Sequence, residues 1–174
     1  MALLTVLSAP DPRLRMKAKP IKEVDDSIRK FMDDMLETML HDKGGGLAAV
    51  QVGVDKRVIV MQIEPEYEGD GKLYFMANPE IVWSSSEKKL WEEGCLSVPG
   101  IFIEVERAEK VKVKFLDRDN KERELDLDGR IAECVQHEIE HLDGILTIDH
   151  LSAIKRKIVL KKLQKNKLQQ VSGS

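Results

Sequence analysis

Between Asp25 and His41 the apolar residues Ile28, Phe31, Met32, Met35, Leu36, Met39 and Leu40 recur at three- and four-residue intervals, the period of one helix face. Asp25 or Asp26 supplies an N-cap, and the glycines from Gly44 stop the helix. Five later segments, 57–63, 72–83, 101–107, 110–117 and 123–127, are short and rich in Val, Ile, Phe or alternating charge. They read as strands, parted by turn-like stretches at 68–71, 84–87 and 117–120. A second helix is predicted over 130–143, with Asp128 near its start and Gly144 as its stop. A third, basic and amphipathic, is predicted from Ser152 to about Gln169, with Ser152 as cap and Ile154, Ile158 and Leu163 on its inner face. Helices that bracket a run of strands without regular alternation argue for an α+β fold over a doubly wound sheet. The arrangement expected is short antiparallel strands packed around the second helix, with N-terminal and C-terminal helices outside. Residues 1–169 form a single domain in this reading, and 170–174 a disordered tail.

A chain of 174 residues that is 42% hydrophobic and 34% charged fits one soluble globular domain, long enough to bury a core without staples. The net charge of −3 and a pI near 5.9 exclude the global basic field of a nucleic-acid binder, so no DNA partner is expected. Charge is nonetheless uneven. After His150 come seven basic residues (Lys155, Arg156, Lys157, Lys161, Lys162, Lys165 and Lys167) and no acidic ones, so residues 1–150 carry −10. Two cysteines, Cys95 and Cys134, are too few for a disulfide scaffold and point to a reducing compartment. The N-terminal apolar stretch lacks a basic flank and ends after Leu7, too soon for a signal segment, and no apolar run approaches membrane-spanning length. The expected location is the cytoplasm, with no membrane partner.

The second helix carries His137-Glu138-Ile139-Glu140-His141, a match to H-E-x-x-H that spends half the histidines of the chain. One helical turn sets both imidazoles on one face to grip an ion, and Glu138 beside them can handle the proton of a bound water. A catalytic site needs a third protein ligand. No glutamate follows His141, which removes the thermolysin-like arrangement. The extended pattern H-E-x-x-H-x-x-G-x-x-H has Gly144 in place, but its last position is Thr147 and His150 comes three residues late. The best remaining donor is upstream, Cys95 in Glu93-Gly94-Cys95-Leu96-Ser97, since thiolate is a strong ligand for divalent zinc or iron. Cys134, at i−3 from His137, is a rival that more simply lines the same cavity.

A glycine-rich segment, Gly44-Gly45-Gly46-Leu47-Ala48-Ala49-Val50-Gln51, follows the first helix and lacks the Lys-Ser/Thr ending of a phosphate loop. With the segments 93–97 and Gln136 to His141 it resembles, in this order, the G-x-G-x-A-A-x-Q, E-G-C-L-S and Q-H-E-x-D-H segments of the peptide deformylases. The resemblance covers nearly the whole chain. It implies removal of the formyl group from the N-terminal formyl-methionine of nascent polypeptides, releasing formate. By the family pattern Cys95, His137 and His141 hold one divalent metal ion, ferrous iron (Fe2+) first, with zinc, nickel or cobalt able to substitute. Glu138 then moves the proton, and the side-chain amide of Gln51 and the backbone N–H of Leu96 stabilise charge on the formyl oxygen. Gly45, Gly46 and Gly94 match positions whose backbone pairs with an extended peptide.

Glu140 stands where the family usually has Asp, and Gly45 where it often has Ile. Arg130 and Glu133 share the helix side of Cys134, His137 and His141, at positions that are aliphatic in many members and help form the methionine pocket. A charged pair there implies a more open, polar-rimmed pocket. Glu93 and Arg107 form a further pair that braces the metal loop if they meet, and two unrelated surface charges if they do not. The basic third helix suits the phosphate surface of a ribosome, where the family finds its substrates. Two other functions remain to be distinguished. One is a metallopeptidase with the same H-E-x-x-H machinery, and the other a catalytically altered homologue with a structural metal site.

Overall fold

The computed structural model describes residues 2–172. Helix α1 (Asp26–His41) begins where expected, with the Asp25 carboxylate accepting from the Ile28 N–H at 3.0 Å. It buries Ile28, Met32, Met35 and Met39. The chain then enters strand β1 (Gly46–Ala48), a 3-10 turn at Ala49–Val52, and strand β2 (Val58–Gln62). Strands β3 (Leu73–Ser84), β6 (Lys110–Leu116) and β7 (Glu122–Asp128) complete an antiparallel five-stranded sheet in the order β1-β2-β3-β6-β7. A separate hairpin pairs β4 (Lys88–Cys95) with β5 (Val98–Ala108). Helix α2 (Gly129–Leu142) follows β7, and α3 (Ala153–Ser172) ends the chain.

Alternation along β2 explains the layers. Val58 and Val60 face α1 with Leu47 and Ala49, whereas Ile59 and Met61 face α2 with Ala48, Cys134 and Val135. A strand covered on both faces reads as an unbroken apolar run, as 58–61 does. The α+β architecture with antiparallel strands and helices at both ends is as expected, although β3 and β5, at 12 and 11 residues, are long for short strands.

Two stretches without a strand signal are strands, β1 within the glycine-rich segment and β4. In β1 the side-chain-free Gly46 lies against α2, where an added Cβ would sit 2.9 Å from Cys134 Sγ and 3.0 Å from Glu138. Packing therefore selects the strand. In α3, Leu163 packs into a cluster with Val98, Ile103, Leu146 and Ile148, but Ile154 and Ile158 are 75% and 62% exposed, contrary to the inner face assigned to them. The helix reaches the body through Val159, Leu160 and Leu163 instead. It runs through Ser172, three residues past the expected end, and residues 173–174 lie outside the described residues. Helix α2 stops at Gly144 (φ 76°), where a Cβ would meet the Arg15 carbonyl at 2.5 Å.

Candidate functional site

Helix α2 lies over β1 with its His137, Glu138 and His141 side chains all buried. Strand β4 approaches the same point from the hairpin, and its register slips between Glu93 and Cys95, so that Cys95 pairs with Val98 at the hairpin end. Cys95 Sγ lies 3.3 Å from His141 Nε2, which is 3.2 Å from His137 Nε2. The three donor atoms fall within 4.8 Å of one another, the one such set of His, Cys, Asp or Glu among the described residues. Cys134 takes no part, its Sγ being 3.9 Å from the Gly45 carbonyl. Burial, then the carboxylates of Glu138, Glu133 and Glu93, pushes the Cys134 thiol up and keeps it neutral.

The donor set fits a divalent transition ion. His137 Nδ1 lies 2.8 Å from Glu93 Oε1, so an Nδ1–H donor leaves Nε2 with its lone pair toward the other two donors. Two Nε2 atoms at 3.2 Å cannot both carry protons, and a sulfur beside them makes a compact borderline-soft S,N,N site. Burial opposes charge on His137, but hydrogen bonds to Cys95 and Glu93 raise its pKa well above the usual imidazole range, so an ion would have to displace the Nε2 proton to gain that lone pair. Burial and the neighbouring His137 push His141 well below it. His141 Nδ1 is buried without a partner among the described residues, and its ring is held edge-on to His137 with centroids 4.9 Å apart.

Glu93 and Arg107 do meet. Arg107 Nε and Nη2 donate to the two Glu93 oxygens at 2.8 and 2.9 Å, with both side chains buried. Burial disfavours the Glu93 charge, yet Arg107 and His137 outweigh it and hold the pKa at about 2. Arg107 also donates to Glu140, whose carboxylate lies 3.0 Å from His150 Nε2. Glu140 thus links His150 to Arg107 in a chain His150, Glu140, Arg107, Glu93, His137, a role its position in the motif does not reveal.

Gln51, on the 3-10 turn, accepts from the Ala48 N–H at 2.9 Å through Oε1, which orients Nε2 toward Ser97 Oγ (3.1 Å) and Cys95 Sγ (3.7 Å). Ser97 is a positioning partner that the motif contained without a recognisable signal. Glu138 Oε1 lies 3.6 Å from His137 Nε2, and Oε2 is buried with no partner among the described residues. Burial is the main cause that pushes the Glu138 carboxyl up to about 7. These groups open onto a cavity of about 830 Å³, also lined by Gly45, Gly46, Gly94, Leu96, Arg130 and Glu133. Every residue singled out in the sequence as catalytic, metal-ligating or substrate-binding therefore borders one cavity, except His141, which lies behind His137. β1 forms the edge of its sheet; just before it the Gly45 carbonyl accepts from the Gln62 N–H on β2 at 2.9 Å, while the other side of β1 has no strand partner among the described residues.

The family model described as polypeptide deformylase matches residues 3–157. The chain belongs to the polypeptide deformylase family. A peptide deformylase of Methylocella silvestris is 49% identical over 167 residues, covering 95% of this chain and 85% of that one. The crystal structure of peptide deformylase from Ehrlichia chaffeensis superposes with a TM-score of 0.93 at 40% identity, covering 98% of this chain and 99% of that one. A Met-Ala-Ser-bound peptide deformylase from Acinetobacter baumannii gives a TM-score of 0.82 at 39% identity, covering 86% and 99%. This chain is accordingly a metal-dependent hydrolase that removes the formyl group from N-terminal formyl-methionine, and neither the metallopeptidase nor the structural-metal alternative is favoured. No helix among the described residues is long and apolar enough to cross a membrane.

Proposed function

We propose that Cys95, His137 and His141 hold a single divalent ion, ferrous iron in the cell, and that Glu138, Gln51 and the Leu96 N–H carry the deformylation of nascent chains around it. The observation that supports this most directly is the convergence of the three donor atoms beside the unpartnered oxygen of Glu138. When bound, the ion supplies Lewis acidity that brings the pKa of a water ligand toward neutrality. Glu138 takes the proton of the attacking water and returns it to the departing amine. Gln51 Nε2, aimed by its Ala48 bond, and the Leu96 N–H at the hairpin end donate to the formyl oxygen as it gains charge. The free edge formed by Gly45 and the first β1 residue, Gly46, with Gly94 lining the same cavity, pairs with the peptide backbone, a mode that needs few side-chain contacts. Residues 1–169 act in this reading as one catalytic domain. Protein loaded with ferrous iron under exclusion of oxygen should release formate from formyl-Met-Ala-Ser; a folded, iron-loaded protein that releases none overturns the assignment.

Gln51→Leu is expected to lower kcat by about 10²–10³, the usual cost of one oxyanion donor, with KM little changed. A loss confined to KM would make Gln51 a binding residue instead.

The reading extends to where the enzyme works. Lys155, Lys157, Lys161, Lys162, Lys165 and Lys167 are all exposed on α3, a basic surface suited to ribosomal phosphates in the cytoplasm. The triple change Lys161→Glu, Lys162→Glu, Lys165→Glu leaves the buried Leu163 untouched. It should weaken co-sedimentation with ribosomes and flatten its salt dependence, with activity on short peptides retained. Unaltered co-sedimentation would show that α3 is not the contact.

A further inference from the structure

Beside the Cys95, His137 and His141 triad the cavity carries a charged pair in a lining that also includes Ile63, Tyr67, Leu96 and Phe102. Glu133 and Arg130 stand one and two turns before His137 on α2, so they line the cavity along the direction leading away from the reacting formyl group. Gly45 and Gly46 also line the cavity and add no side chains to it. Glu133 is 6% exposed, and Arg130 Nη1 donates to its Oε1 at 2.7 Å. The Arg130 guanidinium lies 4.4 Å from the ring centroid of the buried Trp91, which braces it from behind. The single bond between the pair leaves the other Glu133 oxygen and the remaining guanidinium N–H groups for a guest. A long unbranched side chain entering from the formyl site would end against these groups.

An apolar terminus there strips water from an ion pair whose carboxylate is buried and whose guanidinium is half-buried, and returns no hydrogen bond, whereas a carbonyl, amide or sulfoxide terminus replaces that water. Resting on the deformylase reading, we infer that the Arg130–Glu133 pair is a specificity determinant, which makes the enzyme accept formylated first residues ending in a hydrogen-bonding group, such as glutamine or methionine sulfoxide, about as well as methionine.

The test compares kcat/KM for formyl-Met-Ala-Ser, formyl-Gln-Ala-Ser and the formyl-methionine-sulfoxide peptide on the iron-loaded enzyme, with calorimetric binding of Met-Ala-Ser and Gln-Ala-Ser as a second readout. In the native chain both polar peptides should fall within about tenfold of methionine, a margin smaller than an apolar pocket imposes. In Arg130→Leu/Glu133→Ile the polar peptides should lose more than about tenfold relative to methionine in kcat/KM, and Gln-Ala-Ser in affinity. Arg130→Met, at a partly exposed position, gives the same direction if the double variant folds poorly. A native enzyme that disfavours both polar peptides by more than tenfold, or a preference unmoved by either variant, overturns the inference and leaves the deformylase reading intact. Failure to release formate from every peptide overturns both.

Discussion

Glu138→Gln should reduce formate release from formyl-Met-Ala-Ser by about 10²–10⁴-fold while the protein stays folded and binds its metal with near-native stoichiometry. The substitution keeps the shape of a buried side chain and removes only its capacity to accept and return a proton. Glu138 is not one of the three convergent donors, and its Oε2 has no hydrogen-bond partner among the described residues, so the structural cost of an amide is small. Gly46 is the reason this carboxylate can sit so close to β1, since a Cβ at that position would touch Glu138 Oε1 at 3.0 Å. Measured formate release, metal content and thermal unfolding of the variant separate the roles. Loss of metal along with activity would make Glu138 a ligand, and activity within tenfold of the native enzyme would assign the proton transfer elsewhere.

The second large effect is on stability. Arg107→Ala should destabilise the fold by about 3–5 kcal/mol, because it strands the buried Glu93 carboxylate without its two guanidinium bonds. For a chain of this size that is a fall in Tm of roughly 6–20 °C, read by scanning calorimetry. Metal affinity should fall as well, by about 10–100-fold, since Glu93 orients His137 through Nδ1 and Arg107 holds Glu93. The double variant Glu93→Leu/Arg107→Leu distinguishes the two effects. Replacing both partners with apolar side chains removes the stranded charge, so much of the stability should return. The metal affinity should not, because His137 Nδ1 then has no acceptor. Near-native Tm and metal binding in Arg107→Ala would instead mean that the pair braces nothing.

What could be read in the chain follows the range of the interactions concerned. Helices α1 and α2 are set by contacts three and four residues apart, and their faces, their starts near Asp25 and Asp128 and the pairing of His137 with His141 are all legible in the sequence. The same holds for β2, β3, β6 and β7; the apolar run of β2 and the alternation of β6 report burial directly. Strand β4 escaped because its inward positions are Trp91, Glu93 and Cys95, an alternation in which two of three members are polar or reactive and so do not register as a buried face. Helix α3 misled in the opposite sense: Ile154 and Ile158 have the hydrophobicity of an inner face but no neighbouring surface to cover them.

The motifs by themselves determined the family and narrowed the candidate metal donors to His137, His141 and one of two cysteines, because that chemistry admits few residue types at fixed spacing. Three things were decided only by the tertiary structure. One is that Cys95, 46 residues from His141 in the chain, stands 3.3 Å from it, ahead of the nearer Cys134. Another is that Arg107 joins Glu93 to Glu140, and the third is that Ser97 Oγ accepts from the Gln51 amide. All three depend on how the β4–β5 hairpin docks, the first two against α2 and the third against the 3-10 turn that carries Gln51, and docking is set by the packing of whole surfaces, which no local sequence pattern encodes.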